Sequence, residues 1–133
     1  MYSASNTIER TLIQFVFDNE RPIYLQLVEQ LRLTIVSGQY AAGSRLPSVR
    51  ELASQARVNP NTMQKALQEL EDQQLIFTER TNGKFVTEDQ KLIAKYKKQL
   101  ATAAAKTYLA DTKRIGVTFE EAINTLQEIG GGR

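Results

Sequence analysis

The side chains best suited to chemistry in this chain are amides, hydroxyls and cations gathered between Arg45 and Lys84. Asn61, Thr62, Gln64, Lys65 and Gln68 lie on one side of a helical pattern whose other side carries Met63, Ala66, Leu67 and Leu70. Such a polar row can donate to phosphate oxygens and hydrogen-bond base edges in a major groove. Between Arg45 and Lys65 the cations Arg45, Arg50, Arg57 and Lys65 are accompanied by a single acid, Glu51. What the chain lacks narrows the field further. With no His and no Cys among 133 residues, imidazole bases, thiolate nucleophiles, disulfides and His/Cys zinc sites are excluded. The acids Glu120, Glu121 and Glu128 have no catalytic or metal partner in the pattern, no phosphate loop is found, and the sequence calls for no cofactor and no metal.

Two short helices and a tight turn must hold these groups. Ser48 and Glu51 form a capping box after Pro47, so a helix is predicted from Val49, with Leu52, Ala53 and Ala56 inward. It breaks near Arg57, Val58 packs beneath the turn, and Asn59-Pro60 supplies the next N-cap with proline at the first helical position. Upstream, Ile23, Tyr24, Leu27, Val28, Leu31 and Ile35 give a helical stripe after Pro22 that stops at Gly38, and Ile13 to Asp18 is a short β-prone run. Downstream, Leu75–Arg80 and Lys84–Thr87 flank Thr81-Asn82-Gly83. Asn-Gly at such a place predicts a hairpin with a type I′ turn, and hence a wing after three helices. Arg80, Thr81, Asn82 and Lys84 are the donors expected at its tip, beside a phosphate backbone or in a minor groove.

The runs PIYLQL from Pro22, IVSGQYAAGSRLPSVRELA, VNPNT and RTNGKFV occur together and in order. From about Phe15 to Thr87 the chain resembles the winged-helix domain of the GntR family of bacterial transcription regulators. The resemblance implies a sequence-specific DNA-binding regulator whose partner is double-stranded operator DNA. It implies that Arg45 and Arg50 hold phosphate or reach base edges, with Ser48 at the same helix start. Asn59, Asn61, Thr62, Gln64 and Lys65 match the family's recognition-helix contacts, and Asn82 and Gly83 match the wing tip. One departure is that Pro60 and Gln64 stand where some members carry arginine, so a guanine preference by bidentate arginine is not carried over.

From Glu88 on, the chain reads as two helices: Leu92, Ile93, Tyr96, Leu100, Ala103, Ala104 and Tyr108 on a long one ending before Gly116, then Phe119, Ala122, Ile123, Leu126 and Ile129 on a second capped by Thr118 and Glu121. Their apolar stripes exceed what one winged helix can cover, which predicts burial against a second copy through Leu92, Tyr96, Leu100, Ala104, Tyr108, Phe119, Ile123 and Leu126. So short a tail resembles the YtrA-like subfamily, implying a homodimeric repressor, often of a neighbouring transporter operon, with any small-molecule effector unknown; two-fold pairing in turn predicts an inverted-repeat operator. The expected architecture is mainly α with a small β wing: a flexible arm over residues 1–12, a winged helix-turn-helix over 13–87 and a two-helix dimerisation element over 88–133.

Bland readings accompany these. Any amphipathic helix has a polar outer side, a hairpin can merely cover a core, and the lysines at 91, 95, 97 and 98 fit a solvated helix face as well as phosphate contact. Residues 1–88 hold nine basic against ten acidic side chains, so overall charge does not argue for DNA, and a protein-interaction module is the competing class. An export leader or a long apolar run is absent, which predicts a cytoplasmic protein without a membrane partner.

Overall fold

Pro22 has no N–H to leave unsatisfied and sits extended (φ −55°, ψ 139°) at the start of the first helix, α1, Ile23–Val36. The computed structural model describes residues 13–131. After α1 come α2 (Val49–Ala56), α3 (Pro60–Asp72), β1 (Ile76–Glu79), β2 (Gly83–Val86), α4 (Gln90–Arg114) and α5 (Phe119–Gly130). These form a mainly helical fold with a small antiparallel wing. The chain divides into two compact units, Met1–Lys95 and Tyr96–Arg133, and the division falls inside α4. The expected arm over residues 1–12 lies outside the described residues, as does the end of the GGGR tail.

In the first unit α1 packs on α3 and α2 packs on α3. Their apolar stripes meet in one core, where Leu27, Leu31 and Ile35 of α1, Leu52 of α2, and Met63, Leu67 and Leu70 of α3 are almost wholly buried. Leu75, Ile76 and Val86 close it from the wing. The caps form as the sequence predicts. Ser48 Oγ accepts from the Glu51 amide at 3.1 Å while Glu51 Oε1 accepts from the Ser48 amide at 2.8 Å. Asn59 Oδ1 accepts from the Asn61 amide at 2.7 Å ahead of Pro60. Arg57 takes the left-handed cap (φ 60°) that ends α2.

Two local expectations are corrected. The β-prone run from Ile13 to Asp18 forms no strand, because side-chain amides of α1 take its backbone groups. Gln30 accepts from the Val16 amide at 3.0 Å and donates to the Val16 carbonyl at 2.7 Å. Buried Gln26 does the same for Asp18 at 3.0 and 3.1 Å and also donates to the Arg21 carbonyl at 2.8 Å. The hairpin turn, in turn, is not type I′. Glu79 pairs with Gly83, leaving a three-residue loop, Arg80 to Asn82, in which the Asn82 amide donates to the Glu79 carbonyl at 3.1 Å. Gly83 alone in this turn has positive φ, 98°, whereas a type I′ turn needs it at Asn82 too. A third segment flanks the wing. The Leu46 amide donates to the Lys84 carbonyl at 2.8 Å and the Val86 amide to the Ser44 carbonyl at 2.9 Å, so the segment from Ser44 to Leu46, ahead of α2, is stitched to β2.

In the second unit Thr118 and Glu121 form the expected capping box. Tyr108 Oη donates to the Ala122 carbonyl at 2.7 Å, and Ala122 is fully buried beneath it.

Candidate nucleic-acid interface

The stitching of residues 44–46 to β2 brings Arg45 against the wing. A Cβ at Gly83 would lie 3.1 Å from Arg45 Nε and 3.3 Å from Nη2, so the guanidinium rests against the glycine at a distance that a side chain there would crowd. Beside it a cleft of about 460 Å³ opens between the start of α2 and the wing, and Arg45, Ser48, Arg80, Gly83 and Lys84 all line it. Sequence reasoning therefore named residues that the fold gathers, although they are separated by up to 39 positions in the chain. Glu51 and Glu79 also line the cleft. Glu51 is occupied by its cap, and Glu79 accepts from Asn82 Nδ2 at 3.3 Å, which holds the loop tip.

Along α3 the outward row is Asn61, Gln64, Lys65 and Gln68, all exposed, with Thr62 half-buried. Gln68 Nε2 donates to Asp72 one turn on at 3.0 Å. Asn59, expected among the base-reading residues, spends its carbonyl oxygen on the helix cap and keeps its amide N–H₂ as the remaining donor. Arg50 is exposed on α2.

Lys84 differs most from expectation. It was assigned to the tip by its place in the sequence, but it pairs with Thr78 in the ladder, and its ammonium donates to Thr78 Oγ1 at 2.8 Å and reaches Glu71 of α3 at 3.5 Å. Only 15% of its side chain is exposed. The wing cation left outward is Arg80. Tyr24 is a residue that sequence reasoning missed: the Lys65 ammonium sits 4.1 Å from the centroid of its ring. Forty-one positions separate the two and no local pattern links them.

Of the residues predicted to pair two copies, Leu92 is half-buried in the first unit, where its neighbour Ile93 reaches the core. In the second unit Tyr96, Leu100 and Tyr108 are half-buried and Ala104 is exposed. Phe119 is 63% exposed and Leu126 47%, with Ile123 beside them. Ala104, Tyr108, Phe119, Ile123 and Leu126, with Ala105 and Leu109, line an almost wholly apolar groove of about 500 Å³.

Three core helices, a turn between the second and third, and a hairpin stitched back to the start of the second define a winged helix-turn-helix, an architecture that carries a recognition helix on its surface. Residues 23–86 match the family model described as bacterial regulatory proteins, gntR family. The chain is 34% identical to the HTH-type transcriptional repressor YtrA of Bacillus subtilis over 89% of its length and 92% of that protein's. A GntR family transcriptional regulator from Listeria monocytogenes superposes with a TM-score of 0.76 at 37% identity, covering 85% of this chain and 99% of that one. The AraR DNA-binding domain, solved in complex with operator ORX1, superposes with a TM-score of 0.51 at 27% identity, over 54% of this chain and 93% of that one. This chain belongs to the GntR family of bacterial regulatory proteins: it is a helix-turn-helix transcriptional regulator and not an enzyme. Among the described residues no helix is long and apolar enough to cross a membrane.

Proposed function

We propose that the protein is a homodimeric repressor that binds an inverted-repeat operator in double-stranded DNA, of a transporter operon if the likeness to YtrA-like regulators extends to its targets. The observation that carries the DNA reading is the gathering of Arg45, Ser48 and Arg80 at one cleft in the same unit that presents Asn61, Gln64 and Lys65 outward on α3. Arg45 and Arg80 hold the backbone at the wing, with Gly83 giving the arginine its seat and Asn82 holding the loop. Arg50 holds phosphate beside them, and Gln64 and Lys65 read base edges.

Pairing through the second unit is supported by the apolar groove between α4 and α5, whose Phe119 and Leu126 are too exposed for a face meant to stay in water. A two-fold pair would present two recognition helices to major-groove faces ~34 Å apart or a multiple of that. Selection of duplexes from a random library by the intact chain, followed by sequencing, tests the reading. An inverted repeat is expected. Failure to enrich any duplex at low salt would overturn it in favour of a protein-binding winged helix.

A further inference from the structure

We infer that Tyr24, on the first turn of α1, is a positioning residue for DNA reading: its ring fixes the Lys65 ammonium on the outward side of α3 and thereby sharpens base preference at the step Lys65 meets. This rests on the DNA reading above and adds a residue to it. A lysine amine on its own is a mobile point charge on a four-carbon stem, poorly suited to discriminate one base edge from the next. Here the amine lies 4.1 Å from the Tyr24 centroid, well inside the ~6 Å reach of a cation–π contact. Tyr24 is half-buried, and α1 is packed against α3, so the ring is a rigid platform rather than a second mobile group.

The choice of a ring over a carboxylate matters. Among the described residues Lys65 takes no ion pair, whereas Lys84 is held by Glu71. An acid restrains a lysine but cancels its attraction for phosphates and base acceptors. A neutral ring restrains it and leaves the whole charge, with N–H donors pointing away from the ring, to meet a polyanion. Lys65 and Lys84 are thus held in opposite ways, and of these two the one on α3 keeps its charge uncompensated.

The test uses the full chain and the duplex it selects, with affinity and base preference measured for Tyr24→Phe, Tyr24→Leu, Lys65→Met and the double variant Tyr24→Leu/Lys65→Met. Tyr24→Phe keeps the ring and should bind as the parent does. Tyr24→Leu should bind roughly two- to tenfold more weakly, because a freed lysine stem must be ordered when it meets the base. It should broaden preference at the same base pair that Lys65→Met broadens, with an unchanged salt slope because the charge remains. On the Lys65→Met background it should cost nothing further. Additive losses in the double variant would overturn the inference, as would tighter binding by Tyr24→Leu or parental binding by Lys65→Met, while each leaves the DNA reading standing. Retention of no duplex by the intact chain would overturn both.

Discussion

Gly83→Ala separates what the wing glycine does for the fold from what it does for Arg45. The backbone there has φ 98°, a region costing an L residue on the order of 1–3 kcal/mol, so unfolding stability should fall by about that much. The new methyl would also stand 3.1 Å from Arg45 Nε and 3.3 Å from Nη2. These atoms end a flexible side chain, so the arginine can give by the few tenths of an ångström required at little cost to folding, which shifts its guanidinium beside the cleft. Arg45→Ala sets the upper bound on the functional loss. A charge-assisted hydrogen bond to phosphate contributes about 1.5–3 kcal/mol, on the order of tenfold to a hundredfold in affinity, and the logarithmic salt slope should drop by about 0.9. Gly83→Ala should give part of that loss, and on the Arg45→Ala background it should give almost none.

Thermal unfolding and fluorescence anisotropy of operator binding at a series of salt concentrations measure both effects. A Gly83→Ala protein with unchanged stability, affinity and salt slope would refute the seat. So would losses from Gly83 and Arg45 that simply add, because Gly83 would then be acting through the backbone alone.

Arg50→Ala should weaken all duplexes alike and lower the salt slope by about 0.9, whereas Gln64→Ala should cost about 1–3 kcal/mol on the operator and relax preference at one position of each half-site. Competition binding against a panel of single-base variants tells them apart. Leu126→Glu alters a side chain that is 47% exposed, so helicity should persist while sedimentation at micromolar concentration shifts from dimer to monomer and operator affinity collapses. A fully dimeric Leu126→Glu protein would remove this groove from the interface. Tyr40 is 2% exposed and burial pushes its hydroxyl up to about 12 from 10.0. Below pH ~10 the proton is bound in both states. Above that the unfolded chain ionises first, so stability should fall as pH rises towards 12, by roughly 2–3 kcal/mol at most. Tyr40→Phe should flatten that alkaline fall in denaturant titrations, and an equal fall in both proteins would place its origin elsewhere.

Features written in residues three or four apart were legible in the sequence, and features written across the fold were not. The capping boxes at Ser48 and Thr118 and the Asn59-Pro60 start depend on neighbours alone, so the helices they begin could be placed to the residue. The strand expected over Ile13 to Asp18 fails because Gln26 and Gln30, fixed on α1 and facing it, outcompete any ladder for its backbone groups. The Asn-Gly signal named the hairpin correctly but not its turn, since pairing of Glu79 with Gly83 lengthens the loop to three residues and removes the need for a left-handed Asn82.

The same division runs through the candidate site. Composition along the chain picked out the cations between Arg45 and Lys84, yet it could not tell which of them are compensated. Glu71 lies 13 positions before Lys84 and on another element, and only the packing of β1 on α3 brings it within 3.5 Å. A lysine so held keeps one of its three N–H donors and has its charge partly met by Glu71, so a phosphate gains less from it than from an exposed arginine. Under the proposed function, the wing's attraction for DNA would rest on Arg80 at the tip and on Arg45, which reaches the wing from the strand-like segment before α2, while Lys84 fixes the hairpin on α3.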